Sequence, residues 1–403
     1  MASISPERKS LFMLSGMSFS FAIGFGAIWF LLPSIVKNNV DNMIIFGIIY
    51  SIPNIVSFFL DIPTGAFIDY HGRKKPFLIA FVIMALLGFM LPSLTTLPRL
   101  IGFMLVFGIV NQFAILPGRA YLMDIAPKGK TSEYFGIFSA VFNLGYSIGP
   151  IIGGYFIAES LNVGLFSTGL FVAVLCIIAI IFLSLLKETM VETKSVSNSV
   201  RDVIIRDKIL VRSILQYKQL KVVGVLILAL TLVLIIIDGI IWSLEPLYNT
   251  LGIDSVLVGL ILASFTVPYI IFEAPAGMIA DRIGKHYTML FGILLASICL
   301  ISFGYTTNPW ILLISAFIAT VGLAFVRPSM DGLLTDLSAG KQKGMIVGVW
   351  DVAEDIGYVI GPILGGIISE VFQSIQIPFV LMGIAMLFFL PVIYLTKKYN
   401  TSV

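Results

Sequence analysis

The stretch GAFIDYHGRKK runs from Gly65 to Lys75, and GMIADRIGK runs from Gly277 to Lys285. Each closes a long apolar run with a glycine, an aspartate four residues on, a second glycine and then a base. The two stretches stand 212 residues apart. The same offset carries Asp61 onto Glu273, Pro63 onto Pro275 and Asp124 onto Asp336. It also carries Gly136, Gly145, Gly149, Pro150, Gly153 and Gly154 onto Gly348, Gly357, Gly361, Pro362, Gly365 and Gly366. One ungapped offset joining all these landmarks makes the chain two copies of one structural repeat.

What the repeat is made of follows from composition. Of 403 residues, 58% are hydrophobic and 12% charged, where a soluble domain carries about 25% charged. Mean hydropathy is +1.04. These values exclude a soluble enzyme, a disordered chain and a secreted disulfide scaffold. Apolar runs fall at roughly 11–36, 43–69, 76–95, 99–126, 133–158, 162–186, 222–248, 256–281, 287–306, 309–337, 344–370 and 375–396. Lipid offers the backbone no hydrogen-bond partner, so such runs must be helices or a closed barrel. They are too long and too continuously apolar for barrel strands, whereas a spanning helix needs roughly 20 apolar residues. The expectation is an all-α membrane protein of twelve helices in two six-helix halves. Duplication of this kind is the architecture of secondary transporters, with the binding site near the midplane.

Twenty-one of the 25 Lys and Arg residues fall on one side when the N-terminus is placed inside; Lys37 and Arg99 fall outside, and Arg119 and Arg327 within helices. That asymmetry puts both termini in the cytoplasm. The polar stretch 187–221 divides six helices from six, giving an N-terminal bundle over 1–186, a cytoplasmic linker, and a C-terminal bundle over 222–403. Within the linker, Val203 to Leu215 reads either as a short amphipathic surface helix or as mobile chain. Met1 to Ser10 leads into the first run with no small-residue cleavage site, so that run is expected to remain as a span. Cys176 and Cys299 lie in apolar runs and are expected to form no disulfide. A net charge of +3 makes no case for nucleic acid.

The loop and the glycine string together resemble a known family. The stretch Gly65–Lys75 resembles the signature G-x-x-x-D-x-x-G-R-K-[RK] of major facilitator superfamily transporters; the second copy is partial, with Lys285 where Arg is usual. The string Gly136 to Gly154 resembles the G-x8-G-x3-G-P-x2-G-G pattern of the drug:proton antiporter branch. The fourth-helix arginine of that branch is missing, with Leu105 in its place. The resemblance implies that Asp69 faces the N-terminal end of the eleventh helix and that Arg73, beside Lys74, pairs with Asp124. Lys285 and Asp336 are then the weaker counterpart, with Gly277, Asp281 and Gly284 repeating the motif. A simpler reading leaves these charges to topology alone. Of the motif glycines, Gly65 is expected to permit close helix approach and Gly72 a tight turn. Gly145, Gly149 and Gly153 recur on one face, as small residues do at close helix contacts. With Pro150 they fit either an interface between the halves or ordinary helix packing, and Gly154 and the string from Gly357 to Gly366 repeat the pattern.

Charges inside spanning helices are costly, so each is a candidate site. There are eight acids against two bases: Asp61, Asp238, Glu245, Glu273, Asp331, Asp351, Glu354 and Asp355, with Arg119 and Arg327. Arg327 and Asp331 have the spacing of a same-helix pair, and Arg119 is assigned to Asp61 across helices. Asp351, Glu354 and Asp355 share one face of the eleventh helix, a crowding that suits proton coupling. The surplus of acids favours a cationic substrate, protons, or both. Plainer roles stand beside these: Asp351 as a cap, Glu245 at the rim, and Asp61 and Glu273 holding bent backbone two residues before prolines. Trp29, Trp242 and Trp350 are candidates for cation–π contact with an organic cation or for packing.

His71 and His286 flank the signature loops, and no metal spacing, Walker lysine or nucleophile elbow accompanies them. An enzyme is therefore not expected, nor a cofactor or bound metal. The function read from the sequence is a secondary active transporter of the cell membrane working by alternating access. It exports small amphipathic or cationic compounds in exchange for protons, with a symporter or uniporter of a small metabolite as the alternative. A monomer in the bilayer is expected.

Overall fold

A computed structural model describes residues 5–127, 130–158, 160–189, 222–243, 251–337, 343–391 and 393–394. Among the described residues ten helices are long and apolar enough to cross a membrane, and two shorter apolar ones fall on the seventh and twelfth runs. They are α1 (Pro6–Asn39), α2 (Met43–His71), α3 (Lys74–Met90), α4 (Leu97–Ile125), α5 (Thr131–Ile157) and α6 (Leu161–Leu185). After the linker come α7 (Val222–Ser243), α8a (Ser255–Ser264), α8b (Val267–Ile283), α9 (Lys285–Tyr305), α10 (Pro309–Leu337), α11 (Lys343–Phe372) and α12 (Ile377–Leu387). The linker from 190 to 221, including Val203–Leu215, lies outside the described residues.

The eighth run departs from the continuous helix that its apolarity predicts. It breaks between Ser264 and Val267 because Pro268 has no N–H to give the preceding turn. The chain tightens there: Phe265 N donates to the Leu262 carbonyl and Thr266 N to that of Ala263, both at 3.0 Å. The Thr266 hydroxyl adds a second donor to Ala263, also at 3.0 Å.

The chain forms two compact units. The first comprises Met1–Val40, Ile52–Ile205 and Asp254–Gly259; the second comprises Asp41–Ser51, Arg206–Ile253 and Leu260–Val403. In the first, α1 packs on α5 and α6, and α3 packs on α6 and α4. An aromatic stack fills the space between α1 and α4, with Phe25 on Phe107 at 5.0 Å and Trp29 on Phe107 at 5.7 Å between ring centres. In the second, α7 packs on α11, α9 on α10 and α12, and α8b on α10.

Within the first unit α2 and α4 run in a fixed register. Ser57 Oγ donates to the Gly108 carbonyl at 3.2 Å, Gln112 Nε2 contacts Asp61 Oδ1, and Arg73 Nε meets Asp124 Oδ2 at 3.1 Å; each pair is separated by 51 residues. This register decides which of the candidate residues can meet.

Candidate functional site

The signature loop is built by a helix end, a turn and a borrowed cap. Gly72 has φ 85° and Gly284 φ 110°, the left-handed region that a side chain resists, so each gives the turn its sequence predicts. Arg73 pairs with Asp124 at 3.1 Å, its side chain largely buried and that of Asp124 less so. What the sequence did not reveal is Glu188, just past the end of α6. Its carboxylate accepts the backbone N–H of Arg73 at 2.9 Å and of Lys74 at 3.0 Å, capping the otherwise uncapped N-terminus of α3. Lys74 Nζ donates to the Leu186 carbonyl at 2.7 Å, the Tyr121 hydroxyl to that of Lys187 at 2.8 Å, and the Thr189 hydroxyl to Asp124 at 2.6 Å. The chain leaving α6 is thus fastened across the loop. A residue in irregular chain carries no periodicity, so only the loop's need for an N-cap could have pointed to it.

Other motif residues are placed differently. Among the described residues a Cβ at Gly65 would meet nothing within 4 Å, so no close helix approach is made there among them. The α2 glycine that makes one is Gly47. Gly277 is in ordinary contact, 3.6 Å from Pro328. Lys285 donates to the Gly332 carbonyl at 3.1 Å, and Asp281 is exposed. The side chains of Asp69 and Asp336 lie outside the described residues.

The glycine–proline strings serve two faces. A Cβ at Gly145 would come within 2.7 Å of the Phe19 carbonyl, one at Gly149 within 2.6 Å of Ile23 O, and one at Gly153 within 2.9 Å of Phe30; all three partners are on α1. In the second unit Gly357, Gly361 and Gly365 face Ile235, Ile236 and Ile240 of α7. The recurring stripe is therefore helix packing within a unit. The other face is turned to different helices. A side chain at Gly154 would strike the Ser255 carbonyl and one at Gly259 that of Pro150; one at Gly366 would strike Met43 and one at Gly47 Pro362. These contacts form two pairs under the repeat offset: Gly154–Ser255 answers to Gly366–Met43, and Gly259–Pro150 to Gly47–Pro362. All lie at the helix ends opposite the signature loops. Those of α2 and α11 are reinforced by polar bonds, Met43 N to Glu370 Oε2 at 2.9 Å and the Ser51 hydroxyl to the Val359 carbonyl at 2.8 Å. Gly47 and Gly259 obey the repeat offset, so the signal for them was in the sequence.

Among the described side chains, the charged residues find partners across helices. Asp61 faces Gln112, not Arg119, which is exposed and makes no ion pair among the described residues. The α2–α4 register is the reason: Arg119 lies seven residues beyond Gln112, about 10 Å further along the helix. Arg327 bonds Glu354 of α11 at 3.1 Å, and its guanidinium lies 6.0 Å from the ring centre of Tyr269 on α8b. The Tyr358 hydroxyl, one turn after Glu354, donates to Asp238 of α7 at 2.8 Å. The second unit thus holds a polar cluster of Asp238, Tyr269, Arg327, Glu354 and Tyr358, with half-buried Glu273 four residues after Tyr269. Glu354 is committed to a base, so the face it shares with Asp351 and half-buried Asp355 is not three unpaired carboxylates. The side chains of Asp331 and Asp351, and all of Glu245, lie outside the described residues. Trp29 is buried in the α1–α4 stack and Trp242 is buried on α7, while the Trp350 side chain is not described. Among the described residues a cation–π contact within the protein joins Arg327 to Tyr269.

Two helical units built on one repeat, with spanning helices throughout, find their match in a family model covering residues 14–243 and 227–402. The chain belongs to the Major Facilitator Superfamily. The superfamily is one of multi-pass membrane transporters. The quinolone resistance protein NorA of Staphylococcus aureus is 29% identical over 169 residues, 41% of this chain and 43% of that protein. Multidrug resistance protein 1 of Bacillus subtilis is 28% identical over 142 residues, 35% of this chain and 36% of that protein. The chain thus matches less than half the length of these relatives. Among solved structures, a bacterial homolog of the human lysosomal transporter Spinster, inward-facing and unoccupied, superposes with TM-score 0.75 at 12% identity, covering 97% of this chain and 96% of that one. The nucleoside transporter NupG gives 0.72 at 16%, covering 96% and 100%.

Proposed function

We propose that this transporter exports small amphipathic compounds, cationic ones among them, in exchange for protons by alternating access. The observation that carries alternating access is the mirrored set of backbone contacts at Gly154, Gly259, Gly47 and Gly366. A contact surface of glycines and carbonyls is dry, flat and free of long side chains, so it can part and reform as a two-state element. Proton coupling is supported by the intramembrane acids, with Asp238 held by a phenol and Glu354 by a guanidinium. Efflux is supported by the names of the matched relatives, a quinolone and a multidrug resistance protein. The reading places both termini in the cytoplasm, from the distribution of bases, and takes the monomer as the working unit in a cell membrane. Leu105, standing where the antiporter branch has arginine, favours the competing reading of proton symport of a metabolite.

Reconstituted protein with an imposed proton gradient tests this. Fluorescent amphiphile flux opposite to the proton flux is expected. Flux in the same direction as protons establishes symport instead, and gradient-independent flux removes the coupling altogether.

A further inference from the structure

The polar cluster of the second unit has spare donor capacity at Arg327. A guanidinium carries five N–H donors, and Arg327 gives one of them to Glu354 Oε1 at 3.1 Å; no other hydrogen-bond acceptor meets it among the described residues. Its side chain keeps 43% of its surface exposed, against 19% for Glu354. Arg327 lies ten residues inside the end of α10 at Leu337. A side chain so open at that depth is not turned to hydrocarbon, where a charge is costly. Two of the acids nearby are already engaged, Glu354 by Arg327 and Asp238 by the Tyr358 hydroxyl at 2.8 Å. The unfilled valences of Arg327 are donors, and they form the rigid fork that matches a planar oxyanion.

We propose that Arg327 docks the carboxylate of the transported compound, so that the chain takes amphipathic acids and zwitterions. This rests on the transport reading above and narrows its substrate class. The carboxylate bonds the unoccupied edge of the guanidinium while Glu354 keeps its place. Tyr269, against the same guanidinium, presents an aromatic ring to the apolar body of the compound. Glu273 is half-buried four residues further along α8b and has no hydrogen-bond partner among the described residues, which suits it to the cationic end of a zwitterion. An acid surplus in the sequence suggested cations; the geometry adds an anion-binding pole that composition does not show.

The test is equilibrium binding to the purified full-length chain in detergent, without any gradient, using a rhodamine dye with a free carboxylate and the ethyl ester of the same dye. Charge-assisted bonds of this kind correspond to about ten- to a hundredfold in affinity. Arg327→Gln is expected to weaken the acid by that factor and leave the ester within about twofold. Arg327→Lys keeps the charge beside Glu354 but loses the fork, and is expected to give an intermediate loss for the acid alone. Unchanged ester binding to both variants shows that the fold survives. Equal losses for acid and ester, an unaffected acid, or no acid binding to the unmodified chain each overturn the proposal. Loss of proton-driven flux with acid preference intact would instead count against the exporter reading, so the two fail separately.

Discussion

Replacing Gly366 by alanine puts one methyl group where the Met43 carbonyl already stands, with the Met43 carbonyl carbon 3.0 Å away. Both obstructing atoms are backbone, so no side chain can rotate to make room. The start of α2 must move away from α11 by a substantial fraction of an ångström, which weakens the neighbouring Met43 N–Glu370 bond of 2.9 Å. Overpacking of this kind costs typically about 1–3 kcal/mol, and the cost falls only on the conformation in which these ends touch. A bias of that size shifts a two-state population about 5- to 150-fold. The Met43 amide offers the readout. It donates to Glu370 Oε2 at 2.9 Å, so it is shielded while the ends are joined. Deuterium labelling of that amide in purified protein is expected to accelerate by that factor when Gly366→Ala is added. Gly154→Ala, which meets Ser255 in the corresponding way, is expected to slow gradient-driven flux to a similar degree. Unchanged labelling with unchanged flux refutes the idea that these glycines form a gate surface.

Gly65→Ala fills open space and adds helix propensity, so stability is expected to rise by roughly 0.5–1 kcal/mol; a fall in thermal stability would show a contact that the described arrangement lacks. Glu188→Ala removes both acceptors from the start of α3 and is expected to speed hydrogen exchange at the Arg73 and Lys74 amides, consistent with a cap of about 1 kcal/mol; unaltered exchange contradicts the capping role. Tyr358→Phe and Asp238→Asn, measured singly and together by thermal unfolding, are expected to be non-additive by about 0.5–3 kcal/mol, and strict additivity would mean that the 2.8 Å bond contributes nothing.

Helix limits were readable because lipid leaves the backbone one solution and sets its length. The tenth run, 309–337, coincides with α10, and the second, 43–69, ends two residues short of α2. The break in α8 was missed although Pro268 is visible, because apolarity continues straight through it. Periodicity names neighbours along one helix and is silent about neighbours across two. It therefore offered Asp331, whose side chain lies outside the described residues, to Arg327, and gave no hint of Glu354 on another helix. It could not reject Arg119 for Asp61, since that depends on a register between helices. The repeat offset did better, because a duplicated fold duplicates its contacts: the backbone meetings at Gly154 and Gly366 are the same meeting made twice.

The constant separation of 51 residues between facing positions of α2 and α4 has a consequence for how this chain can vary in length. One residue added to α2 between Ser57 and Asp61 advances everything after it by about 1.5 Å and turns it by about 100°. That single insertion pulls Asp61 from Gln112 and Arg73 from Asp124 together. The two helices behave like the scales of a vernier, and a change in one is tolerated only with a matching change at the same level of the other.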